Sequence, residues 1–200
     1  MTAASQNKLS GASLSVTLER SALSDPALRQ IAGLSDIDAI VNGLAQAGFG
    51  IEATRVLAHA LPKREAVWWG CMCAAHTAPA DLPDIDRNIR VVAENWVRQQ
   101  TMELAREAME EAKRAGFQSP EAWVGVSAFW SDVSLAPENA PAVPPPPHLT
   151  GVAVAGAIAL ASVRTDPARQ PQRLAWFLQS AHDIIAGGSG RLPPEATTPV

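Results

Sequence analysis

The sequence predicts an all-α fold: a single compact domain of about eight helices in antiparallel pairs, crossed by an extended proline-rich strap. Three observations carry that expectation. Hydrophobic residues fill 47% of the 200 positions, many of them Ala, the best helix former. Apolar residues recur at helical spacing between polar caps and glycine or proline stops. Only "SLSVTL", Ser13–Leu18, alternates with the period of a strand.

Residues 1–23 are small and polar and are expected to be flexible, with "SLSVTL" as a short strand at most. The helical domain is expected over 24–186. Ser24 caps a first helix with Pro26 in its opening turn, running to about Ala32. Ser35 caps the next, whose stripe is Ile37, Ile40, Val41 and Leu44, and Gly48 ends it. "IEATRVLAHALP" turns Val56, Leu57, Ala60 and Leu61 to one side and stops at Pro62. "KREAVWWGCMCAAH", Lys63–His76, is apolar or Gly throughout Ala66–Ala75. A helix hydrophobic all round is buried on all sides, so this one should be the central helix.

Ile85, Ile89, Val92 and Trp96 then fall at i, i+4, i+7 and i+11. "TMELAREAMEEAKRAG" is capped by Thr101 and closed by Gly116, with Met102, Ala105, Met109 and Ala112 inward and a Glu110–Arg114 pair outside. Ser119 and Pro120 open a helix that buries Trp123, Val126 or Ser127, and Trp130. Six prolines between Pro137 and Pro147 then exclude helix, so 131–148 reads as an extended strap. Leu149–Val163 and Pro171–Ile185 are the last helices, the latter with Leu174, Phe177, Leu178, Ala181 and Ile185 inward; 187–200 reads as a disordered tail. "AGFGIEATRVL" and "AGFQSPEAWVGV" echo each other, but no fixed period recurs three times, which a solenoid would require.

Charge narrows the partners. The net charge is −4 and no Lys/Arg cluster occurs, which argues against nucleic acid and against a polybasic membrane anchor. The N-terminus lacks the pattern of a secretory signal. The longest apolar run, Leu149–Val163, would span about 22 Å as a helix, against a hydrocarbon core of about 30 Å. No membrane insertion is expected, and the cytoplasm is the expected location.

The chemistry-bearing residues read as structure. Cys71 and Cys73 stand two apart on one helix and face different ways, so they pair with neither each other nor a metal alongside His76. Both lie late in the helix, where its dipole disfavours a thiolate. His59 could add a third ligand at most. "GGSGR" lacks the strand, helix and Lys of a phosphate loop, and the paired carboxylates (Asp84 with Asp86, Glu110 with Glu111) look like caps or solvated faces. No catalytic, cofactor-binding or metal-ligating set emerges. Trp68, Trp69, Cys71, Cys73, Trp96, Trp123, Trp130 and Trp176 are expected in the structural core, with a Trp-lined ligand pocket as the alternative.

"LAHALPKREAVWWGCMCAA", the run from "AGFQSPEAWVGVSAFWSDVSLAPENA" through "PAVPPPPHLTGVAVAGAIALA", and "DPARQPQRLAWFL" resemble an uncharacterised bacterial family of unknown function over about Leu44–Ile185. Its shared words are LP-x-REAVWW, GF-x-x-P-x-AW, FWS-x-x-SLAP and the proline run. The family carries no activity to transfer. Its association with type VI secretion loci, beside PAAR-type spike and adaptor proteins, implies an accessory or cargo-loading role. The expectation is therefore a non-enzymatic accessory protein that binds another, unidentified protein. The alternative is a small-molecule-binding or enzymatic helical domain with a Trp-lined pocket.

Overall fold

The computed structural model describes residue 9 and residues 12–136 and 139–195. Among them are ten α-helices, one 3-10 turn at Pro167–Arg169 and no strand. The helices are α1 (Leu14–Ser21), α2 (Asp25–Gln30), α3 (Ile37–Gln46), α4 (Gly50–Ala60), α5 (Lys63–His76), α6 (Asp84–Gln99), α7 (Met102–Arg114), α8 (Pro120–Asp132), α9 (Leu149–Val163) and α10 (Gln170–Ile185). Side-chain oxygens of Ser24, Thr101 and Ser119 accept the N–H three residues on, as their positions predict. The two "AGF" echoes are one local device used twice. Phe49 N–H reaches Leu44 O at 2.8 Å and Phe117 N–H reaches Ala112 O at 3.2 Å, each past a left-handed glycine, Gly48 or Gly116.

Helix α5 separates two cores. Trp69 and Cys73 face α3, α4, α9 and α10, while Val67, Cys71 and Met72 face α6, α7 and α8. Helix α9 also serves both, with Val154, Ile158 and Ala161 on one side and Ala157 on the other. Small residues permit this closeness: a Cβ on Gly125 would lie 2.8 Å from Ala108 O, so α7 and α8 touch backbone to backbone.

Several expectations are corrected. Within the supposedly flexible 1–23, Leu14–Ser21 is helical rather than extended. Ser13 caps it; Thr17 and Ser21 are its buried residues, joined by a 2.7 Å hydrogen bond from Ser21 Oγ to Thr17 O, and Leu14 and Leu18 pack half-buried on the core beside them. The cap of α3 is Asp36, not Ser35, with Oδ1 accepting from Ala39 N–H at 3.0 Å. On α7 the stripe begins a turn later, at Ala105, Ala108, Met109 and Ala112, and Met102 is exposed. In place of the expected Glu110–Arg114 pair it carries Glu110–Lys113 and Glu111–Arg114 pairs, because Glu111 lies on the buried edge and Arg114 turns towards it. The strap is extended over residues 141–146; Pro137 and Glu138 lie outside the described residues. Leu135 N–H bonds to Val143 O at 2.8 Å, Ser134 Oγ accepts from Val143 N–H at 3.0 Å, and Pro145 is buried. Helix α8 runs on to Asp132, so the strap begins two residues later than expected, and Lys63 Nζ donates to Ser131 O in the last turn of that helix.

A candidate peptide groove between α5 and α10

Of the segment expected as a disordered tail, residues 187–195 are placed against α5 and α10; residues 196–200 lie outside the described set. Helix α10 ends in a sharp reversal, with Gly187 at φ +92° and the Gly188 N–H on Asp183 O at 2.7 Å. The segment then runs back between α5 and α10, held by partners from both. Trp68 Nε1–H donates to Ser189 O at 2.7 Å, and Gly190 N–H donates to Asp183 Oδ2 at 2.8 Å. Ser180 Oγ donates to Gly190 O. Gly190 has φ +63° and is buried, and a Cβ there would strike the Ile184 side chain. Arg191 places its guanidinium 5.6 Å from the Trp68 ring centroid, and Leu192 packs on the core.

The far end is electrostatic. Glu195 N–H donates to His76 O at 2.7 Å, and its carboxylate receives Arg173 Nε at 3.0 Å, Arg173 Nη2 at 2.7 Å and Arg169 Nη2 at 3.1 Å. Burial pushes the Glu195 carboxyl up. The hydrogen bonds and charge of Arg173, followed by Arg169 and His76, outweigh that and hold it below its ordinary value. Arg173 itself is 1% exposed, and its Nη1 donates to Ser162 O in the last turn of α9 and to Arg164 O and Asp166 O just beyond it. So the guanidinium is held by carbonyls as well as by the carboxylate. His76 Nδ1 bonds to Pro193 O, and since a carbonyl only accepts, Nδ1 carries the proton. Its Nε2 is buried with no hydrogen-bond partner among the described residues, and its ring meets the edge of Trp176 at 4.9 Å. A cleft of about 550 Å³ lies alongside, bounded by His76, Trp176, Gln179 and Glu195.

The residues expected in the core divide. Trp69, Cys71, Cys73 and Trp96 are buried, and Trp69 Nε1–H is satisfied by Phe177 O at 2.8 Å. Burial raises both thiol pKa values well above the ordinary one, and the two cysteines are free. Trp68, Trp123, Trp130 and Trp176 are only half-buried. Trp68 and Trp176 belong to the groove; Trp123 and Trp130 pack against each other at 6.4 Å on the far side. No group of three or more His, Cys, Asp or Glu among the described residues could hold a metal ion. The ionic anchors Arg173 and Glu195 escape a reading by apolar periodicity. The visible signal is that Arg173 precedes Phe177 by four on the inward face of α10. Glu121 and Arg164, a second buried ion pair, were missed likewise.

No single helix among the described residues is long and apolar enough to cross a membrane. A family model described as a family of unknown function (DUF6931) matches residues 40–185. No curated protein and no solved structure matches the chain. The groove floor, including Trp68, His76, Arg173 and Trp176, lies within the matched residues, and the segment seated on it lies beyond them.

Proposed function

The chain belongs to DUF6931, a family of unknown function, and from the geometry we propose a non-enzymatic adaptor that holds an extended protein segment, anchored by one carboxylate, in the α5–α10 groove. The observation that supports this is the manner in which 187–195 is held. Backbone carbonyls and N–H groups are read by Trp68, His76 and Asp183, and one carboxylate is read by two arginines. Main-chain bonds with a charge-assisted anchor are how proteins bind extended peptides. In this reading the chain's own segment fills the groove in cis, at an effective concentration of order millimolar, and a partner segment displaces it. The resemblance to proteins of type VI secretion loci supports cargo or effector recruitment there as the setting.

The test uses the full chain. A fluorescent peptide spanning Gly187–Val200 is titrated into the wild type and into Glu195→Gln, which weakens the cis occupant. Saturable binding to the variant, with little to the wild type, is expected; a peptide carrying the same Glu→Gln change should bind neither. Equal and unsaturable signals throughout would refute the groove.

A further inference from the structure

The way the segment is seated between α5 and α10 also says what a displacing segment must carry, an inference that rests on the groove reading above. Two of its positions select a residue type. The first is Gly190, which is buried with both backbone groups engaged: its N–H by Asp183 Oδ2 and its C=O by Ser180 Oγ. Its φ of +63° is one that residues with side chains rarely adopt. A Cβ there would also strike the Ile184 side chain and lie 3.1 Å from Ser180 O. Ile184 is 2% exposed and packed in the core, so it has little room to withdraw.

The second is Glu195. Its carboxylate meets Arg173 and Arg169, and its N–H on His76 O fixes the backbone from which the side chain starts. The Arg173 guanidinium is tied to three backbone carbonyls and cannot follow a shorter acid. Aspartate, one methylene shorter, would stop short of it.

The other positions ask for less. Leu192 packs half-buried on the core. Ser189 gives only its carbonyl to Trp68 and is otherwise exposed. Pro193 and Pro194 are exposed as well, and Pro193 O meets His76. Each proline fixes a φ angle, so the stretch from Gly190 to Glu195 is stiff. Removing one residue shortens its reach by about 3.3–3.6 Å, more than a glutamate can make up.

We propose that the partner of this groove is an extended segment of another protein in which a glycine is followed by an apolar residue two positions on and by a glutamate five positions on, with proline between. The acid read is a side chain and not a chain end, so such a segment can lie within an exposed loop or linker.

The experiment is a competition titration. The full-length Glu195→Gln variant is loaded with the fluorescent Gly187–Val200 peptide, and unlabelled peptides displace it. Against the unaltered peptide, those with Gly190→Ala, with Glu195→Asp or with Pro194 deleted should each compete about tenfold or more weakly. Ser189→Ala should compete within about twofold. If the unaltered peptide saturates and any of the first three competes equally well, the groove stands and this specificity is overturned. Weakening by Ser189→Ala as large as by Gly190→Ala overturns it too. If the unaltered peptide itself fails to saturate, the groove reading falls and takes this one with it. Dimerisation of the wild-type chain in sedimentation, blocked by excess peptide, would give the groove to a second copy and overturn the partner stated here.

Discussion

Replacing Glu195 by Gln keeps the size and one acceptor but removes the charge that meets Arg173 and Arg169. The Glu195 side chain is 9% exposed and Arg173's is 2%, so screening by water is weak. Breaking a buried pair from one side costs about 3–5 kcal/mol when the orphaned charge stays buried. Arg173 is cushioned, because its Nη1 keeps three carbonyl acceptors and Gln still accepts one bond. The segment can also lift and let water in, which caps the loss. About 2 kcal/mol is then expected, nearly all as local opening of 187–195, which is a rise of about thirtyfold in the opened population. Trypsin reads this at Arg191, since cleavage follows the open fraction when closing is fast. Acid should mimic the substitution. The folded carboxyl titrates below its ordinary value near 4.5, so its contribution is whole above that value and is lost as pH falls through the folded one. Equal cleavage of variant and wild type at neutral pH would show that the carboxylate does not hold the segment.

Trp69→Ala should destabilise by about 3–5 kcal/mol in urea titrations, because the ring is fully buried and its N–H is bonded to Phe177 O. Trp68→Ala should cost less than about 2 kcal/mol globally, since that ring is half-buried, but should release the C-terminal segment to trypsin. Cys71 and Cys73 should resist a thiol reagent in the native protein and react together on unfolding; fast labelling of either in native conditions contradicts their burial. Glu121→Gln should lower the melting temperature, leaving Arg164 without its carboxylate at a site where Glu121 is fully buried, and an unchanged temperature would mean water already serves that arginine.

The fold was legible wherever caps and apolar stripes agree. Ser24, Thr101 and Ser119 announce their helices, and the all-apolar Ala66–Ala75 announces its place between two cores. Helix α1 was hidden because its fully buried positions are Thr17 and Ser21, while Leu14 and Leu18, which pack on the core, also fit the period-two alternation Leu14, Val16, Leu18 of a strand, although its Ser13 cap stood in plain sight. The groove was half legible. Its floor shows in the conspicuous Trp68 and Trp176, but its occupant is Gly, Ser and Pro whose partners lie as far as 121 residues away. Nothing local encodes such bonds.

The bond from Trp69 to Phe177 spans 108 residues. On a ribosome adding about 5–20 residues per second, the indole face of α5 therefore waits roughly 5–20 s for the helix that covers it. For most of that interval α3, α4 and α5 exist without α9, and throughout it without a complete α10, showing the surface that Ile40, Leu44, Leu57 and Trp69 will later close. The partner of α5 on its other side, the α6–α8 layer, emerges sooner and can sequester Cys71 and Val67 first. The nascent chain is thus born with one half finished and the other oily and open. Its dependence on chaperones should fall on the first half of the sequence until the last helix leaves the tunnel.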